Sequence, residues 1–163
     1  MHRINQPGTY ALVFHCAATF QASVGKLGQM EGAKGYWIYV GSACGPGGLG
    51  ARLRHHLKPS HRFHWHLDYI KAALQPLEIW ATTDPEKREH AWASVFWGLR
   101  GSSCPMVGFG ATDCTCRSHL IHRARRPGFA YFRGRVRKQF PDHGPLYRLV
   151  PAEIIAGQGK GSD

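Results

Sequence analysis

The chain has 163 residues, 43% apolar and 12% aromatic, which suits one globular domain with its own hydrophobic core and excludes general disorder. Lys and Arg number 21 against 10 acidic residues, a formal charge of +11, with 11 histidines to add to it below neutral pH, so the surface attracts polyanions such as nucleic acid without choosing an activity. The 5 cysteines are odd in number and follow no secretory segment, which argues for reduced thiols in a cytoplasmic setting over a disulfide framework.

In chain order, Pro7-Gly8 is a turn signal and residues 9–16 read as a largely buried strand. The apolar run 12–20 is interrupted by His15 and Thr19 and is too short to span a membrane. Residues 19–24 read as a second strand, 25–28 as a turn, and 36–40 as a third strand of β-branched and aromatic residues. Three strands before any long helix predict an antiparallel meander. After a Gly/Pro-rich turn, Leu49, Leu53 and Leu57 recur every fourth residue and make one helix face. Arg52 and His56 lie together along its edge, Arg54 falls on the opposite flank, Lys58 points away and Pro59 ends the helix. Histidines and aromatics crowd residues 61–70, a loop entering a short helix.

Residues 77–81 form a short strand. Asp84 has the chemistry of an N-cap with Pro85 at the first helical position, and the predicted helix runs to Leu99 with Trp92, Val95, Phe96 and Leu99 as its buried stripe. At ~100° per residue Glu89 lies beside that stripe and Glu86 further out. A Gly-rich loop at 108–113 leads to Cys114, Cys116, His119 and His122. Residues 129–132 are compatible with a strand, as are 146–150, and 133–138 are strongly basic. The expected architecture is α+β: a small antiparallel β-sheet flanked by helices, a single domain over 1–150 with a basic C-terminal extension from 123, and a polar tail at 151–163.

Gly8-Thr9-Tyr10 and Tyr39-Val40-Gly41 place two tyrosines on neighbouring strands, ahead of an Arg-bearing helix and a later Glu-bearing one. This resembles the GIY-YIG endonuclease superfamily, and more closely its archaeal-type Uri-like branch. The likeness rests on four segments in order: 35–43 (GYWIYVGSA), 48–56 (GLGARLRHH), 64–69 (HWHLDY) and 108–120 (GFGATDCTCRSHL). It spans roughly residues 7–122. By motif, the resemblance implies Tyr10, Tyr39, Arg52 and His56 as catalytic residues and Glu89 as the metal-binding acid. It implies a metal-dependent endonuclease, using Mg²⁺ or Mn²⁺ and acting on nucleic acid, with DNA the expected substrate. The gap between the tripeptides is longer than the superfamily's usual one, and the asparagine that many members place after the glutamate has no evident equivalent. A non-catalytic nucleic-acid-binding module of the same fold is the alternative.

Such hydrolysis needs an activated water and charge neutralisation at phosphorus. A divalent ion at Glu89 would act as Lewis acid, in a single-metal site, and Arg52 can donate two hydrogen bonds to phosphate oxygens. Tyr10 or Tyr39 would position or deprotonate the water, and a phenol with an ordinary pKa of ~10 needs cationic neighbours for the second role. Arg54, Lys58, Arg123, Arg125 and Arg126 are the candidate nucleic-acid contacts. Cys114, Cys116, His119 and His122 could hold a structural Zn²⁺ in a zinc-stabilised interaction domain, although the spacing matches no standard finger and buried structural residues would give the same pattern.

Overall fold

In the computed structural model, which describes residues 2–157, strand β1 (Gly8–Cys16) is the centre of the molecule. β1 pairs antiparallel with β4 (Gly35–Ala43) on one side and β5 (Gln75–Thr82) on the other. Between β1 and β4, β2 (Phe20–Val24) and β3 (Gly28–Gly32) form a separate two-stranded hairpin. The predicted meander is therefore corrected: β1 and β4 are direct neighbours, and the intervening chain folds outward as the hairpin. β7 (Leu120–Arg123) and the edge strands β6 (Ser102–Ser103) and β8 (Tyr147–Leu149) complete a six-stranded sheet in the order β6-β7-β4-β1-β5-β8, antiparallel throughout.

Every residue of β1 except His15 is buried, because helices cover both faces of the sheet. Alternation along the strand divides its side chains between two cores. Tyr10, Leu12 and Phe14 face helix α1 (Gly48–Leu57), whose Leu49 and Leu53 are buried in the same core. Ala11 and Val13 face α2 (Glu89–Trp97) and α3 (Phe129–Gln139), with Trp80, Trp92, Phe96, Phe132 and Val136. The expected α+β class is what the chain adopts.

The helical stripe of α2 is as expected, but the helix begins at Glu89 and not after Asp84. Asp84 spends its carboxylate on the loop instead: Oδ1 accepts the Glu86 N–H at 2.9 Å, and Oδ2 accepts the Gly144 N–H at 2.7 Å and Arg88 Nε–H at 3.0 Å. Residues 129–132, compatible with a strand by composition, belong to α3, where Phe132 and Val136 at a spacing of four pack inward. The basic extension is thus part of the fold, α3 packing on α2 and β8 pairing with β5. The tail beginning at 151 is corrected too: helix α4 (Pro151–Ala156) packs against α1 and buries Ile154, while residues 158–163 lie outside those described. Among the described residues no helix is long and apolar enough to cross a membrane.

The α3 seam concentrates aromatic contact. Phe132 stacks on Phe96 at 4.4 Å between centroids and meets Trp80 at 5.0 Å and Trp92 at 5.1 Å. Removing a fully buried ring costs its transfer energy plus the cavity it leaves. Phe132→Ala is expected to lower unfolding stability in urea by about 3–5 kcal/mol. A loss below about 1 kcal/mol would mean that α3 is an appendage and not core.

Candidate active site

Tyr10 stands directly opposite Gly41 in the β1–β4 register. A Cβ on Gly41 would collide with the Tyr10 hydroxyl, so glycine here is what lets the phenol lie across β4. The Tyr10 hydroxyl meets His56 Nε2 on α1 at 2.7 Å, and the Tyr10, Tyr39 and His56 rings form a mutual cluster at 5.6–6.4 Å between centroids. The helical spacing that put Arg52 and His56 on one edge of α1 thereby brings one to the tyrosines and the other to the open cleft.

Tyr10, Tyr39, Arg52 and Glu89 all line one cleft of about 310 Å³. His56 sits behind it, 2% exposed, and lines a separate hollow with Asp68 and Lys71. Glu89 reaches the cleft from the first residue of α2, and the tripeptide containing Tyr10 fixes it there through its other face. Thr9 Oγ1 accepts the Arg88 backbone N–H at 3.0 Å, while the buried Arg88 guanidinium pairs with Asp84 and Asp142, each at 3.0 Å. Glu89 is almost wholly buried and Lys87 Nζ lies 2.8 Å from its Oε1.

The segment 64–69 supplies the opposite wall. Asp68 Oδ2 accepts the backbone N–H groups of His64 and Trp65, both at 3.0 Å, which closes the turn. His55 Nε2 at 3.0 Å and Lys71 Nζ at 2.9 Å bind the same carboxylate. Burial pushes its pKa up, but the Trp65 N–H, Lys71 and His55 outweigh that and hold the carboxyl well below its usual range. So fixed, Trp65 carries the Arg52 guanidinium over its ring at 4.4 Å. His66 Nδ1 accepts the Gly110 N–H at 2.8 Å, drawing the glycine-rich loop in until Phe109 meets Tyr39 edge-on at 6.0 Å. Gly110 has φ +67, a conformation that favours glycine, and a Cβ there would press on the Tyr39 ring at 3.0 Å.

Electrostatically, both tyrosines remain neutral phenols. Burial raises Tyr10 and Tyr39 well above the ordinary value, and the neighbouring Arg52 offsets only part of this. His56 moves the other way, lowered from 6.5 to about 3 by burial and by Arg52, and is a neutral imidazole. Its Nδ1 is buried without a hydrogen-bond partner.

Lys87, Asp113, His64, His66 and His119 also line the cleft, although only Tyr10, Tyr39, Arg52 and Glu89 were legible as its members. The signal for four of them, all but Lys87, was their place inside the segments 64–69 and 108–120. The five candidate phosphate-contact residues do not line it. Arg54 lies over a hollow with Ile4 and Leu149, Lys58 in the hollow with Phe63 and Pro76, and Arg123 and Arg125 beside Arg100. Arg126 is paired with Glu78 at 2.9 Å. The Cys/His set is corrected: Cys114, Cys116 and His119 are joined by His90 of α2, not by His122. His122 is the cross-strand partner of Trp37 on β4, and its Nε2 meets the Lys34 carbonyl oxygen at 2.8 Å.

A family model, described as domain of unknown function DUF123, matches residues 9–138. The chain belongs to the DUF123 family. The DUF123 match runs from Thr9 into α3 and so encloses all four residues that meet in the cleft. No curated protein and no solved structure matches the chain.

The buried neutral His56 makes stability depend on pH. Its unfolded form takes a proton near 6.5 and its folded form only near 3, so stability is complete above 6.5 and falls as pH drops through that window, by up to about 1.4 kcal/mol per unit. His66 and His119, also lowered by burial, add to the same slope. Chemical denaturation between about pH 7 and 4.5 is expected to show this fall, and His56→Gln to flatten it. Parallel pH profiles for the two proteins would contradict the buried neutral imidazole.

Proposed function

We propose that the cleft is the active site of a metal-dependent endonuclease of GIY-YIG type, hydrolysing phosphodiester bonds in nucleic acid, with DNA the expected substrate. The observation that carries this reading is the convergence of Tyr10, Tyr39, Arg52 and Glu89, drawn from two strands and two helices, on one cleft. The net charge of +11 suits a polyanionic substrate, and 5 free cysteines suit a reducing, cytoplasmic setting.

The donor chemistry fits Mg²⁺ or Mn²⁺. Such an ion takes hard oxygen ligands, commonly one or two carboxylates with substrate phosphate and retained water. Glu89 offers the nearly buried carboxylate, with Asp113 elsewhere in the cleft lining. When bound, the ion would polarise the phosphoryl group and neutralise the leaving oxygen. The chain's own residues do the rest. Arg52, held over the Trp65 ring, donates to phosphate oxygens as their charge grows. Tyr39 orients the attacking water through its protonated hydroxyl. Tyr10 stays a neutral phenol bonded to neutral His56 Nε2 at 2.7 Å and braces Tyr39 from behind, and the proton lost by the attacking water leaves to solvent through the open cleft.

Arg52→Ala and Glu89→Gln are each expected to reduce Mg²⁺-dependent nicking at least ~100-fold, with circular dichroism and DNA affinity little changed. Absence of metal-dependent cleavage by the wild type on duplex, single-stranded and branched substrates would overturn the enzymatic reading. One observation favours a second reading, a non-catalytic nucleic-acid-binding module: Lys87 already occupies the Glu89 carboxylate at 2.8 Å. That module predicts salt-sensitive affinity indifferent to Mg²⁺.

A further inference from the structure

A second group of ligand-bearing side chains lies against the cleft and takes no part in the chemistry proposed for it. His90, Cys114, Cys116 and His119 each offer a ligand atom, and these atoms all lie within 4.8 Å of one another. Cys114 Sγ and His119 Nε2 are 3.6 Å apart, and the His90 and His119 rings are 5.6 Å between centroids. Zinc bonds of about 2.0–2.1 Å to nitrogen and 2.3 Å to sulfur imply tetrahedral edges of ~3.3–3.8 Å. One edge of the group already has that length, and no other exceeds 4.8 Å.

We propose that His90, Cys114, Cys116 and His119 form a structural zinc site that pins the glycine-rich loop to the start of α2. Two thiolates and two imidazoles fill the four positions of Zn²⁺, which makes the site closed and structural, not hydrolytic. The soft sulfur donors also separate it from a magnesium site of carboxylate oxygens. Its framework is fixed. The His119 backbone accepts the Val40 N–H at 2.9 Å and donates to the Phe109 carbonyl at 2.8 Å, so this ligand is anchored to β4 and to the loop at once. His90 Nε2 lies 3.5 Å from Glu89 Oε1, the kind of carboxylate neighbour that orients a metal-bound imidazole.

The geometry also explains why chain spacing misled. Cys114, Cys116 and His119 come from one loop, but the fourth ligand comes from a helix more than twenty positions earlier, and β7 carries the nearer His122 to the opposite end of the strand pair with Trp37. A bound zinc would couple the two walls of the cleft, because His90 follows Glu89 directly and the loop it ties down presses Phe109 and Gly110 on Tyr39. The site does not rest on the hydrolytic reading, since its occupancy is read without any activity.

The test is metal content and spectroscopy on the full chain. After zinc-supplemented expression and exhaustive dialysis, elemental analysis is expected to give one zinc per chain. Cobalt(II) exchanged into the protein is expected to show the intense visible absorption of a tetrahedral centre with a thiolate charge-transfer band. Half-exposed His90 can be changed without opening the core, so His90→Ala is expected to keep its circular dichroism and retain less than a tenth of the zinc, as is Cys114→Ser. His122→Ala is expected to keep full occupancy, and a chelator to lower the unfolding midpoint of the wild type but not of His90→Ala. Wild-type protein that carries no zinc and yields no tetrahedral cobalt spectrum overturns the site. So does full zinc retention by a folded His90→Ala protein.

Discussion

The pairing of Tyr10 with Gly41 is the contact on which the rest of the site depends. A strand position opposite a glycine gives a large ring space that a Cβ would have filled, so Tyr10 lies across β4 and reaches His56 on α1. That hydrogen bond joins helix to sheet beneath the cleft. It also removes Tyr10 and His56 from water, which keeps one a phenol and the other a neutral imidazole. Enlarging residue 41 would disturb the Tyr10 ring, the His56 contact and Tyr39 together.

Around that contact, each wall of the cleft is set by a backbone constraint instead of by the functional side chain itself. Thr9, pointing away from Tyr10 on the same strand, holds the peptide of Arg88 and so places Glu89. Asp68 closes the turn that lets Trp65 support Arg52. His66 draws in the loop that backs Tyr39. Pre-organisation of this kind suits a site where charge develops late in a reaction, because the donors are already oriented when it appears.

How far the sequence disclosed this follows from which signals are local. β1, β4 and α1 were legible because β-branched runs and leucines every fourth residue are short-range patterns, and the Arg52/His56 pair followed from helical geometry alone. β3, with the sequence Gly-Gln-Met-Glu-Gly, offers no alternation to read. The start of α2 was misplaced because Asp84 has cap chemistry but bonds a loop sixty residues away at Gly144. Residues 129–132 are aromatic enough for a strand, and only packing on Trp92 and Phe96 makes them helical. His90 could not be joined to the cysteines by spacing, since the fold and not the chain brings them together.

The converging residues are proposed to bind a divalent ion and a phosphodiester side by side. The most direct test is a crystal of the protein grown with Mn²⁺ and a non-cleavable phosphorothioate duplex, with the metal located by anomalous scattering. A manganese peak on the Glu89 carboxylate and a backbone phosphate against Arg52 are expected. Manganese absent from Glu89, with the duplex lying outside the cleft, would contradict such binding.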